Sequence, residues 1–289
     1  IEMGVDTVPF FSSGASLVAL ILVFFIFRPP EDGDEQPRNI NEVLQGMWMA
    51  MSNLRFLALI LITAGFWAIQ GQLYAAMPDY VLRMAGETYK PEWYANVNPL
   101  VVVLFVVAIT QMVRKWKPQN SMLVAMAMIP MSSLAMASSA YFHGNFSIFG
   151  VSVHPITLMM VVGIAIQGLA ECFLSPKYLE FASKQAPKGK EGVFLGFAHM
   201  NTFFAWLFGF ILSGFLLAKY CPEPTTLPQA VQDQHTLALA GQAAMPEVYA
   251  HAHYLWYAYS VVGLVSLVAL LAFVIITNKI DANKEAAAA

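Results

Sequence analysis

GIAIQGLAECFLSPKYLEFASKQAPKGK, residues 163–190, changes character partway along its length. It begins as an apolar stretch of helical length and ends as a basic loop. Inside the apolar part stands a carboxylate, Glu171. A charge at the centre of a membrane helix costs about 2.5–3.5 kcal/mol on the insertion scale. Gln167, Glu171 and Ser175 are spaced i, i+4, i+8 and share one helical face. One reading is a polar stripe that lines an aqueous cavity. The other is a neutral, protonated Glu171 hydrogen-bonded to a neighbouring helix.

The whole chain has the same bias. Its 289 residues are 58% hydrophobic and only 11% charged, against about 25% charged in an ordinary soluble domain. A span needs about 20 mostly apolar residues. Seven stretches qualify: 8–27, 56–78, 94–113, 121–142, 155–175, 193–218 and 254–277. They are too long and too uniformly apolar for barrel strands, so they are helices. The expected fold class is therefore an all-α integral membrane protein with about seven transmembrane helices.

Lys and Arg set the orientation. If the first span ends inside at Arg28, the inner side holds Arg28, Arg38, Arg55, Arg114, Lys115, Lys117, Lys177, Lys184, Lys188, Lys190, Lys279 and Lys284, while the outer side keeps Arg83, Lys90 and Lys219. Twelve against three fixes the expected topology, with the C-terminus cytoplasmic in a plasma (inner) membrane.

The loops divide the chain. RPPEDGDEQPRN, residues 28–39, is charged and Pro-rich, a linker between halves. After it Ile40, Val43, Leu44, Met47, Trp48 and Met51 recur at helical spacing, an amphipathic helix lying on the cytoplasmic face. Asn39 can cap it, with Glu42 three residues on. The outer loop from Lys219 to Ala252 is long enough for a short helix. The expected division is 1–28 as a final helix of a missing N-terminal half, 29–55 as the linker with its amphipathic helix, 56–278 as a six-helix bundle and 279–289 as a cytoplasmic tail. Six spans after the linker suit two groups of three, as in transporter halves built from inverted repeats. The chain starts at Ile1 without the basic region or cleavage site of a secretory signal, and an upstream part is expected to be missing. No function is read from the terminal EAAAA.

Few other residues could carry chemistry. Thr63, Trp67, Gln70 and Tyr74 fall on one side of their helix and serve either as interhelical glue or as cavity lining. His199, Thr202 and Trp206 share another face; His199 either titrates near neutral pH or is simply hydrogen-bonded. Asn96 and Asn98 open a span just before Pro99. His251 and His253 are interfacial. No cluster has metal-ligand spacing, and no P-loop, dinucleotide fingerprint or catalytic Ser-His-Asp set is present, so neither a metal, another cofactor, a nucleic-acid partner nor an enzymatic activity is expected. Cys172 lies within a span and Cys221 beyond the end of another, and no disulfide between them is expected.

Three stretches together resemble the proton-dependent oligopeptide transporters of the major facilitator superfamily. NLRFLALILITAGFWAIQGQ is similar to their seventh helix, with its Arg-Phe and Phe-Trp pairs. PEWYANVNPLVVVLF is similar to the eighth, entered by an aromatic pair and an Asn-Pro. AECFLSPKYLEFASKQAPKGKEG is similar to the end of the tenth and the following loop. The resemblance implies that the chain is equivalent to helices 6–12 of such a transporter. It implies that Glu171 meets the amino terminus of a peptide in the central cavity and that Asn98 faces the same site. Ala198 stands where the family usually has a Trp, and the acidic motif of the family's first helix is absent.

These readings converge on a proton-coupled symporter of peptides or related small solutes. Its expected substrate-binding residues are Glu171, Asn98, Gln70, Tyr74, Trp67 and Gln167, with Glu171 and His199 as candidates for proton coupling. The expected partners are a peptide-like substrate, protons, membrane lipid, and a missing N-terminal half or a partner membrane subunit. The alternative is a transporter-like accessory subunit of a larger membrane complex, without flux of its own.

Overall fold

The computed structural model describes residues 8–26, 40–148 and 150–288. The linker at 28–39, with Arg28, Arg38 and the proposed Asn39 cap, lies outside the described residues. The chain divides into two compact units, Ile1–Val43 and Leu44–Ala289. The first contributes helix α1 (Val8–Ile26) and the start of α2 (Ile40–Ser52).

The second unit is a helical bundle. It contains α3 (Leu54–Gln70), α4 (Ala76–Ala85), α5 (Pro91–Ala95), α6 (Val97–Met112), α7 (Pro118–Ala137), a hairpin of β1 (Phe146–Ile148) and β2 (Val151–Val153), α8 (Pro155–Gln185), α9 (Glu191–Ala198), α10 (Met200–Tyr220), α11 (Gln229–Leu239) and α12 (Tyr254–Ala288). Six segments among the described residues are long and apolar enough to cross a membrane: Leu54–Ala85, Pro91–Met112, Pro118–Tyr141, Pro155–Gln185, Glu191–Tyr220 and Glu247–Lys284. Ser13–Ile26 is a shorter apolar helix. The chain is thus an all-α membrane protein with one small antiparallel hairpin in a loop.

Local chemistry sets the helix starts. Asn53 accepts a hydrogen bond from the Phe56 amide at 3.1 Å and caps α3, and His154 Nδ1 does the same for Ile156 at 3.2 Å on α8. Pro91, Pro118 and Pro155 occupy first helical positions, where the missing N–H is not needed. Inside α8, Pro176 cannot donate, and a nearby carbonyl, that of Phe173, accepts instead from Ser121 of α7 at 2.7 Å. Helix α8 does not end near residue 175 as its hydropathy suggests. It runs on to Gln185, which puts Glu171 close to its middle.

Helix α7 packs on α8 and α12, α8 also on α6, and α3 on α10 and α12. The core between them is aromatic as well as aliphatic: Phe56, Phe66, Tyr80, Phe194, Trp256 and Tyr259 are fully buried. Gly65 permits the closest approach of α3 to α12, since a Cβ there would stand 1.8 Å from Ser266 Oγ. On α2 Leu44, Met47, Trp48 and Met51 are exposed while Ala50 is buried, so its apolar stripe is left uncovered by protein. Helix α12 continues to Ala288, and Asp281 pairs with Arg55 at the start of α3 in two bonds of 2.6 and 3.2 Å.

Chain ends expected on the same side meet one another. Arg55 pairs with Asp281, and Lys177 bonds the turn after α6. Arg83, expected on the other side, pairs with Glu223.

Candidate functional site

Glu171 is half-buried between α3, α6 and α8. Gln70, the last residue of α3, donates from Nε2 to Glu171 Oε2 at 2.6 Å. Asn98, in the first turn of α6, donates from Nδ2 to the same oxygen at 3.2 Å. A single carboxyl oxygen accepts both. The small size of Gly168 allows this approach: a Cβ there would lie 2.9 Å from Asn98 Oδ1 and 3.0 Å from Val101.

The two amides are only half used. Gln70 Oε1 and Asn98 Oδ1 are buried and accept no hydrogen bond. Glu171 Oε1 also has no bonded partner among the described residues. A buried acceptor without a partner costs about 1–3 kcal/mol. The two buried amide oxygens face away from the shared carboxyl oxygen, Asn98 Oδ1 towards Gly168, and no cation of the described residues pairs with Glu171.

The other expected site residues disperse. Gln167 turns to α7, donating to Ser132 Oγ at 3.3 Å, with its own carbonyl oxygen unpartnered. Tyr74 is 68% exposed and on no common face with Gln70. The cause is the backbone: Gly71–Leu73 is a 3-10 turn that ends α3, so the i, i+4 spacing no longer stacks side chains. Thr63 bonds carbonyls of its own helix, at 2.8 Å for Leu59, and accepts from Asn201 of α10 at 3.4 Å.

Trp67 and His199 meet at a second place. Trp67, Ser175, Tyr178, Leu179, His199, Asn201 and Thr202 line a cavity of about 130 Å³ between α3, α8 and α10. The Trp67 indole N–H is buried without an acceptor. Trp206 lies apart, half exposed and stacked on Phe210 at 5.8 Å. His251 and His253 pack among Tyr141, Tyr254 and Tyr257 in a loop cluster. Ala198 is fully buried, and its carbonyl accepts the Tyr178 hydroxyl at 2.7 Å, so that position adds no ring to the site.

Gln72 escaped the sequence reading. It is buried inside the 3-10 turn, donating to Ala68 O at 2.8 Å and Gly209 O at 3.3 Å and accepting from Tyr259 at 2.9 Å. Its only sequence signal is a second glutamine beside a glycine in an apolar span. Among the described residues no group of three or more His, Cys, Asp or Glu is arranged to hold a metal ion. Cys172 and Cys221 are buried free thiols.

A profile of the POT family matches residues 49–226. Among solved structures the chain is similar to one described as the crystal structure of peptide transporter POT in complex with sulfate. The identity is 19% and the TM-score 0.52, over 95% of this chain and 53% of that one. The chain therefore spans about half the length of that structure. No curated protein matches it.

Proposed function

The chain belongs to the POT family, and on that premise we propose that it forms one half of a proton-coupled symporter of peptides or related small solutes. The observation that carries the reading is the shared oxygen of Glu171. Two amides from two other helices converge on it, and their carbonyl oxygens stay unfilled. A primary ammonium has three N–H donors and would pair with the Glu171 carboxylate, which has no cation partner among the described residues.

Coupling follows from solvent access. An open cavity wets Glu171 and favours its ionised form, while closure favours protonation or pairing with the substrate ammonium. Binding, protonation and conformation are then linked, and rocking of this bundle against a second one alternates the access. Gln70 and Asn98 hold the carboxylate in position. His199, in the neighbouring cavity, is the candidate for passing the proton onward. The bias of Lys and Arg among the loops supports an orientation with Arg55, Arg114, Lys177 and the C-terminus on the cytoplasmic side.

Uptake by the full-length protein in proteoliposomes tests this. With an imposed proton gradient, Glu171→Gln lowers gradient-driven accumulation of a dipeptide about 100-fold. Equal gradient-driven uptake by both proteins refutes the role of Glu171. The rival reading is an accessory subunit, favoured by the buried Ala198 at the position of a family Trp. It predicts stable association with other membrane subunits and no dipeptide flux from any form of the protein.

A further inference from the structure

The turn between α6 and α7 carries Arg114, Lys115, Trp116 and Lys117. It joins two membrane-spanning segments, Pro91–Met112 and Pro118–Tyr141, and so lies at a membrane surface. All four side chains are exposed, Trp116 at 40%. None of the three cations has an ion pair or a hydrogen-bonded side-chain partner among the described residues.

These cations have no evident task in the fold. Positive side chains at the end of a helix usually serve its last carbonyls. Here backbone amides fill that role, Val113 N–H donating to Ile109 O at 2.9 Å and Arg114 N–H to Gln111 O at 3.4 Å. The carbonyls of the turn itself are served by Lys177 of α8, itself buried, which donates to Arg114 O and Trp116 O at 3.3 Å each and is paired with Glu180 at 2.8 Å. Glu180 is in turn shared with Lys184. Lys117 stands at the N-cap of α7, where the helix dipole disfavours a cation, and the first turn of α7 has no acidic residue to offset it. The turn is also rigid. Backbone bonds from Trp116 to Val113 at 2.9 Å and from Asn120 to Lys117 at 3.0 Å fix it.

We propose that Arg114, Lys115 and Lys117, with Trp116 as the interfacial anchor, form a headgroup site for an anionic phospholipid. Three cations at the membrane surface, without a counter-charge among the described residues, match a phosphodiester with no competing amine. The indole beside them takes the level of the headgroup and glycerol region. This inference needs only the membrane spans and stands whether or not the protein transports anything.

The test reads the fluorescence of Trp116 in the full-length protein, isolated by difference from Trp116→Phe. The protein is placed in phosphatidylcholine nanodiscs holding a minor share of either dibrominated phosphatidylglycerol or dibrominated phosphatidylcholine. The expected result is stronger quenching by the brominated phosphatidylglycerol, a preference that falls about fivefold for each of Lys115→Gln and Lys117→Gln. The paired Lys115→Arg, Lys117→Arg variant keeps the preference, which separates loss of charge from loss of structure. Equal quenching by the two lipids in the parent protein overturns the proposal, as does a preference that survives both glutamine changes. Displacement by inorganic phosphate at low millimolar concentration overturns the assignment to lipid.

Discussion

Two acid-bearing clusters of this molecule differ in how completely the protein fills them. At the end of α4, Arg83 donates to Cys221 O at 2.6 Å, to Asp79 at 3.0 Å and to Glu223 at 2.6 Å. Its own carbonyl accepts from His235 of α11 at 2.7 Å. Both carboxylates there share the one guanidinium, and the loop from Cys221 to Tyr249 is strapped to the bundle. At Glu171, two neutral amides meet one carboxylate, and no cation among the described residues pairs with it. The first arrangement is complete without a ligand. The second leaves two buried amide oxygens without a partner, and the proposed substrate ammonium would supply the missing cation.

Exchanging the two outcomes would break this contrast. Glu171→Gln is expected to lower proton-driven uptake about 100-fold, the scale of removing one partner from a desolvated ionic contact. The same change leaves thermal stability within about 1 kcal/mol, because no protein cation is left unpaired. A large drop in melting temperature without substrate would mean that Glu171 serves the fold. Arg83→Gln is expected to behave in the opposite sense. Asp79 and Glu223 are about half exposed, so their ion pairs with Arg83 are weak. The bond to the Cys221 carbonyl dominates, and its loss costs about 1 kcal/mol. Thermal unfolding followed in detergent checks this, with uptake per folded molecule unchanged.

The contrast was only partly visible in the sequence. Apolar runs mark the spans because lipid imposes a length and a composition on them. Glu171 stood out as an intramembrane acid, Gln70 as part of a polar stripe, and Asn98 as a polar residue opening a span that the family resemblance then tied to the site. Their meeting across 101 and 73 residues of chain is a product of packing. Tyr74 was misplaced beside Gln70 because helical spacing was extended through Gly71–Leu73, where the turn tightens to three residues. The Gln72 bridge was hidden by the same break in phase. The strands β1 and β2 are three residues each, too short to show alternation. Arg83 and Glu223 are 140 residues apart, and no local pattern links them.

Gly168 sharpens the contrast at lower cost to the molecule. A methyl group at Gly168→Ala would press on Asn98 Oδ1 at 2.9 Å and on Val101 at 3.0 Å. Helices α6 and α8 must then separate by a few tenths of an ångström, a strain of about 1 kcal/mol. The expected result is a weakening of dipeptide affinity of about fivefold with proton coupling intact, measured by the concentration dependence of uptake. Unaltered affinity would show that Asn98 does not need its present position.

The smallest effect reports on the strap itself. Burial pushes the Cys221 thiol up to about 12 although Arg83 beside it pulls the other way. The reactive species is the thiolate, so folded protein near neutral pH is expected to react slowly with N-ethylmaleimide at Cys221. Arg83→Gln releases the carbonyl of that same residue, and local opening then becomes easier without global unfolding. An increase of about fivefold in the labelling rate at Cys221 is expected, equivalent to about 1 kcal/mol of local stability. Cys172, buried against α6 inside the bundle, serves as the internal standard, with an unchanged rate. If both cysteines accelerate together, Arg83 supports the whole bundle. If neither does, the loop is held by its other contacts, such as the Tyr249 hydroxyl on Pro222 O at 2.9 Å, and the ion cluster is a surface feature.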